Sequence, residues 1–279
     1  MAKCELCGLE AGFLRKRHKE CQEKHDAAKT AIEAEASRLA ITGGELADFS
    51  VRAASSAQAA FIDQAALRAL LIGAWEIAVT TALEDDVLSK EEETALVNYS
   101  KHFAFSQGDL DTNGAFSRVV KAAIIRDLLE DKYPDRVTVE GQIPFNLQKA
   151  ESLLWFFNNV AYFEETTRTT YQGGYQGASV RIARGLYYRV GGFRGNPVVT
   201  TRLAHVADGQ LGVTQKHIYF AGGNKAFRVP YPKIVAFTPY SDGIGIQRDA
   251  ITSRPQIFIT GDGWFTYNLV NNLSRMSAA

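Results

Sequence analysis

Between Asp63 and Leu83 the apolar residues return every three or four positions, at Leu67, Leu70, Leu71, Ala74, Trp75 and Ala78. That period places them on one face of a helix, and Asp63 stands where its carboxylate can accept the free N–H groups of the first turn. A second helix is predicted over Phe116–Glu130, with Val119, Val120, Ala123, Ile124 and Leu128 on one side. Upstream, Asp26–Ile41 is rich in Ala, Glu, Lys and Arg, lacks Pro and Gly, and stops at Gly43-Gly44. It predicts a helix running straight out of the N-terminal segment. Residues 45–62 are weakly patterned and read as a loop or short helix.

After Arg136 the period changes. Runs rich in Val, Ile, Tyr and Phe alternate with turn residues, predicting strands over Leu153–Glu164, Ser179–Val190, Val198–Val206, Leu211–Gln215, His217–Ala221, Ala226–Pro230, Ile234–Thr238, Gly243–Arg248 and Gln256–Thr260. Regular short strands separated by turns imply an antiparallel sandwich or barrel. The chain closes with a helix from Trp264 to about Met276, whose Phe265, Leu269 and Leu273 share one face and can cap an end of that barrel. The expected fold class is therefore multidomain α+β. Its parts are residues 1–26 as a small module, 27–62 as a helical linker, 63–135 as a helical domain and 136–279 as a β-rich domain.

Composition adds a charge asymmetry. The 279 residues are formally neutral, but residues 26–135 carry 10 Lys and Arg against 19 Asp and Glu (net −9), while residues 136–279 carry 15 against 8 (net +7). Such segregation points to halves that meet each other or different partners. The longest apolar run, Ala65–Leu83, is interrupted by Arg68 and Glu76, so it reads as a core helix and no transmembrane segment is expected. With no apolar signal segment at the start, the expected location is cytoplasmic.

Chemistry concentrates at the N-terminus. All three cysteines fall in the order Cys4-x2-Cys7-x10-His18-x2-Cys21, with His25 four residues further on. A close pair of thiols, a loop and a second close pair supply the four tetrahedral ligands of Zn2+. Disulfides would want an even count and an oxidising compartment, and unliganded thiols are the remaining alternative. The expected ligands are Cys4, Cys7, His18 and Cys21, with His25 as the alternate.

Two acidic stretches have the composition of cation sites. Asp109, Asp111, Asn113 and Gly114 reproduce the first half of an EF-hand loop, yet the position that needs a bidentate Glu is Val120, so a turn capping the next helix is the expectation. The other stretch is Glu84-Asp85-Asp86-Val87-Leu88-Ser89-Lys90-Glu91-Glu92, in which Ser89 and Glu92 form a capping box. It resembles the acidic turn of the TerB tellurite-resistance family over Leu67–Glu130, departing from it where Asp86 stands in place of a glycine. The resemblance implies a helical fold and cation binding by Asp85, Asp86 or Glu92.

A second resemblance lies downstream. Gly209-Gln210-Leu211-Gly212-Val213-Thr214, His217-Ile218-Tyr219-Phe220, Val229-Pro230-Tyr231, Lys233-Ile234 and Tyr240-Ser241-Asp242-Gly243-Ile244 look like the strands of bacterial PH-like and GRAM-like domains. That likeness, over Gly177–Met276, implies a PH-like barrel that binds protein or lipid headgroups or self-associates. Arg181, Arg184, Arg189, Arg194 and Arg202 could present an anion-binding face, although a solvated face explains such alternation equally. No serine elbow, HExxH or glycine-rich phosphate loop occurs, and His102, His205 and His217 read as structural. The expected function is a non-enzymatic zinc-binding adaptor acting through protein partners or self-association, with stress or defence as its setting. The alternatives are nucleic-acid binding through the basic module (Arg15-Lys16-Arg17-His18-Lys19) and the arginine face, and peripheral binding to anionic lipid.

Overall fold

The computed structural model describes residues 3–12, 16–84, 87–138, 142–171, 180–183, 186–188, 197–250 and 253–278. The chain divides into two compact units, Met1–Arg126 and Asp127–Ala279.

In the first unit the helices are α1 (Lys19–Thr42), α2 (Leu46–Ala59), α3 (Gln64–Ala82), α4 (Lys90–His102), the single-turn α5 (Gln107–Leu110) and α6 (Ala115–Leu129), which starts in this unit. Helix α1 ends where Gly43 adopts a left-handed φ of 72° and returns its N–H to the Leu39 carbonyl. Asp63 caps α3 by accepting from Ala66 N–H at 2.8 Å, and the Ser89–Glu92 capping box opens α4. Trp75, Ala78, Val79 and Ala82 of α3 are buried with Leu96 and Tyr99 of α4. The two buried aromatic polar atoms are satisfied, with Trp75 Nε1–H donating to Leu96 O at 3.1 Å and Tyr99 O–H to Leu71 O at 3.2 Å. Helix α3 has the length and composition of a membrane span, but the residues of its buried face belong to this core.

The stretch 27–62, expected as a linker, is part of the same core. Ile32, Ala36, Leu39 and Ala40 of α1 and Phe49, Ala53 and Ala57 of α2 are buried with α3 and α4. The physical reason is alanine: small side chains give a weak hydrophobic pattern but let helix backbones approach closely.

In the second unit a seven-stranded antiparallel sheet runs in the order β6-β5-β4-β1-β9-β8-β7, and a separate hairpin pairs β2 (Val180–Ala183) with β3 (Leu186–Tyr188). The sheet strands are β1 (Leu153–Tyr171), β4 (Pro197–Thr214), β5 (His217–Gly222), β6 (Lys225–Pro230), β7 (Ile234–Pro239), β8 (Gly243–Arg248) and β9 (Gln256–Ile259). The hydrogen-bonded order is open, with β6 and β7 at its ends, and not the closed ring of a barrel. It is nevertheless strongly curved: Phe227 on β6 lies 6.3 Å from Phe258 on β9 and 5.3 Å from Tyr162 on β1. Four strand spacings in a flat sheet would separate β6 from β9 by about 19 Å.

Strand boundaries differ from the pattern in three places, in the first of which β1 continues past Glu164 to Tyr171, paired with β4 along that length. Within the expected strand 179–190, the described residues Val180–Ala183 and Leu186–Tyr188 pair antiparallel with each other. The expected strands 198–206 and 211–215 are one, because Asp208-Gly209 continues the strand where a turn was expected. A Cβ on Gly209 would come within 2.3 Å of the Ala221 carbonyl, so glycine permits the β4–β5 approach.

Helix α7 (Gly263–Ala278) follows the last strand. Asp262 caps it by accepting from Phe265 N–H at 3.0 Å. Phe265, Leu269, Val270 and Leu273 are fully buried, and Phe265 packs edge-on against Trp155 at 4.9 Å.

Candidate metal centre

A tight N-terminal turn and the head of α1 build the site. Cys4 N–H donates to Leu9 O at 2.7 Å and Gly8 N–H to Cys4 O at 2.9 Å, and Lys3 bridges to Glu10. Gly8 closes this turn with φ 76°. His18 precedes the helix in an extended conformation, its N–H 3.5 Å from Cys4 Sγ, and Cys21 lies in the first helical turn. Helical spacing therefore delivers His18 and Cys21 to the two cysteines of the turn.

The ligand atoms of Cys4, Cys7, His18 and Cys21 all lie within 4.8 Å of one another. His18 Nδ1 is 3.3 Å from Cys7 Sγ and 3.7 Å from Cys21 Sγ. Zn–S and Zn–N bonds of about 2.3 and 2.0 Å put the ligand atoms of a tetrahedron roughly 3.5–3.8 Å apart, so the donor set fits zinc with a small contraction. The imidazole is also oriented. Its Nε2 lies 2.8 Å from the Glu10 carbonyl, which can only accept, so Nε2 carries a proton and, in the neutral imidazole that binds metal, Nδ1 presents its lone pair to the sulfurs.

The thiols are electrostatically unequal. Cys4 is lowered to about 6, chiefly by the Cys7 backbone N–H. Cys21 is raised to about 11, by burial first and then by Cys7. His18 is raised above its ordinary value, the Glu10 carbonyl being the largest cause. Crowded thiols resist sharing negative charge, which a divalent cation among them would relieve. No family model matches this chain, and no curated protein matches it.

The structure places His25 elsewhere. It is buried on α1, and its Nδ1–H donates to the Ala60 carbonyl at 2.8 Å. It is a helix-packing residue here and not one of the clustered ligands.

The acidic candidates are engaged within the helical unit. Asp109 forms a capping box with Ser106 and pairs with Arg68 at 3.0 Å, and the Ser106 hydroxyl is the main cause holding its carboxyl below the usual value. Asp111 accepts from both the backbone N–H and the hydroxyl of Ser117 at 2.8 Å, while Asn113 donates to Glu76. Glu92 belongs to the α4 capping box. Asp109→Ala is therefore expected to lower the melting temperature by the same amount with and without calcium, as read by circular dichroism.

Asp85, Asp86, Arg184, Arg189 and Arg194 lie outside the described residues, as does the side chain of Arg181. Arg202 is exposed on β4. In the basic module, Arg17 is paired with Glu5 at 2.9 Å and donates to Gln22.

One buried polar node was not legible in the sequence. The side chain of Glu151 is fully buried and accepts from His217 Nδ1–H, from Tyr219 O–H at 2.5 Å and from Gln148 N–H at 3.2 Å. Burial alone would raise its pKa, but the hydrogen bonds from Tyr219 and His217 outweigh it and the carboxyl is lowered. Beside it, the Thr214 hydroxyl accepts from His217 N–H at 3.0 Å, and Tyr231 O–H donates to Thr214 O at 2.9 Å. The only sequence signal was the Thr214–His217 spacing, since Glu151 lies 66 residues from its histidine.

Proposed function

We propose that this protein is a non-catalytic adaptor carrying one structural zinc, held by Cys4, Cys7, His18 and Cys21. The observation that carries the reading is the His18 imidazole, turned by the Glu10 carbonyl so that Nδ1 faces the thiols. Four protein ligands fill a tetrahedron, which is the composition of structural zinc sites, whereas catalytic ones keep a position open for water or substrate. Partner binding or self-association is assigned to the second unit. Its curved antiparallel sheet with a C-terminal helix supports a PH-like reading, and the helical unit is read as TerB-like.

Purified protein is expected to contain one zinc per chain by elemental analysis. Cys21→Ser should weaken zinc by more than the roughly 10- to 100-fold typical of an outer-shell change, and His25→Ala should leave the stoichiometry at one. Zinc near zero in metal-replete protein, or unchanged affinity in Cys21→Ser, would remove the metal reading. Sedimentation over a concentration range tests self-association. A strictly monomeric species would leave a foreign partner, and tight, salt-sensitive binding to DNA or RNA would replace the adaptor by a nucleic-acid-binding protein.

A further inference from the structure

Helix α1 belongs to two structures at once. Its first turn carries Cys21 and follows directly from His18, while Ile32, Ala36, Leu39 and Ala40 belong to the core of the helical unit. Between Cys21 and Ile32 the one buried residue is His25. Glu23, Lys24, Asp26, Ala27, Thr30 and Ala31 are exposed. Cys21 and His25 are one turn apart, on the same face. The N-cap residue His18 makes no side-chain cap; the leading end of α1 is tied by His18 N–H to Cys4 Sγ and by Arg17, which donates to Gln22.

His25 makes the next connection. Its Nδ1–H donates to the carbonyl of Ala60, the C-cap of α2, where backbone carbonyls run out of helical partners. Phe61, with φ 60°, turns the chain immediately afterwards, and Ile62 N–H returns to Ala57 O at 2.8 Å. The Ala60 carbonyl is thus set by a hydrogen-bonded turn in which Ala60 and Ile62 are buried.

We infer that His25 is the positioning residue that couples the metal centre to the helical core and arrests the unravelling of α1 when metal leaves. The inference rests on the metal reading of the N-terminal cluster. Among the described residues of 3–22 the buried apolar side chains are Cys4 and Ala11, and a frayed helix end propagates until something stronger than helix propensity stops it. The His25–Ala60 hydrogen bond is the first such stop; Ala28, half-buried against the core, and Ile32, about two turns beyond His25, follow it.

The test is amide hydrogen exchange on the full chain, zinc-loaded and after chelation with EDTA, for wild type, His25→Ala and His25→Asn. In wild type, chelation should deprotect residues 3–22 and leave residues 26–42 unchanged. In His25→Ala, chelation should also speed exchange across residues 26–31, by roughly three- to tenfold, the worth of one hydrogen bond. His25→Asn, which can place an amide N–H near the position of Nδ1, should restore the wild-type boundary, as a purely packing role would not.

Chelation that deprotects 26–42 of wild type as fully as 3–22 would overturn the arrest, and this arm stands even if His25→Ala fails to fold. So would a His25→Ala profile identical to wild type. Protein that binds one zinc but shows either result loses this inference alone. Protein that takes up no zinc loses the metal reading and this inference together.

Discussion

Deleting residues 264–279 is expected to abolish the cooperative melting of the second unit while the first unit keeps its own transition. Phe265, Leu269, Val270 and Leu273 on α7 are fully buried. At about 1.5–3 kcal/mol for each buried side chain, their loss removes roughly 6–12 kcal/mol, comparable to the 5–15 kcal/mol that holds a whole domain folded. The deletion would also uncover Trp155 and Phe157, which lie 4.9 and 6.1 Å from the Phe265 ring. Calorimetry of the intact and shortened chains would show the result. A second-unit transition at the same temperature in both would mean that α7 does not stabilise the sheet. Phe265→Ala is the milder version, at about 3–5 kcal/mol.

Glu151→Ala should cost about 3–5 kcal/mol, because breaking one partner of a buried charged network leaves the others without their acceptor. His217 Nδ1–H and Tyr219 O–H would both be left facing the vacated position. Glu151→Gln keeps the shape but offers one acceptor oxygen in place of two, so an intermediate loss is expected.

The node also sets a pH dependence. The folded-state pKa of Glu151 is held below its ordinary value of 4.5, so its contribution is fully present above that value and is lost as pH falls through the lower, folded-state pKa. Denaturant titrations from pH 7 to pH 3 should show wild type losing stability below about pH 4.5, the unperturbed range of a glutamate. Glu151→Gln should lose less over the same interval. Equal acid sensitivity in the two proteins would show that other carboxylates dominate.

Much of the local chemistry carried by neighbours in the chain was readable. The helix over 63–83, its Asp63 cap, the Ser89–Glu92 capping box and the C-terminal amphipathic helix all depend on contacts within a few residues, and periodicity reports such contacts directly. The cluster of Cys4, Cys7, His18 and Cys21 was legible for the same reason, since a turn and one helical step bring residues at that spacing together. The alternation after Arg136 likewise announced an antiparallel sheet.

What needed the tertiary structure is decided by partners far apart in sequence. His18 and His25 both stood at ligand spacing from Cys21, and only the placement of Ala60 beside His25 and of Glu10 beside His18 separates their roles. Asp208-Gly209 has turn composition, yet the approach of Ala221 and Gly222 makes that glycine part of a continuous strand. Asp109 and Asn113 have the composition of a cation loop, and Arg68 and Glu76, 41 and 37 residues away, pair with them, while Ser106 and Ser117 close local caps on Asp109 and Asp111. Glu151 shows no local pattern, because its partners on β5 are 66 and 68 residues away. The sequence by itself determined the elements, their caps and the donor set of the metal centre. Burial and long-range hydrogen bonding determined which of several chemically similar residues meet, because a side chain's role depends on the groups that exclude water from it.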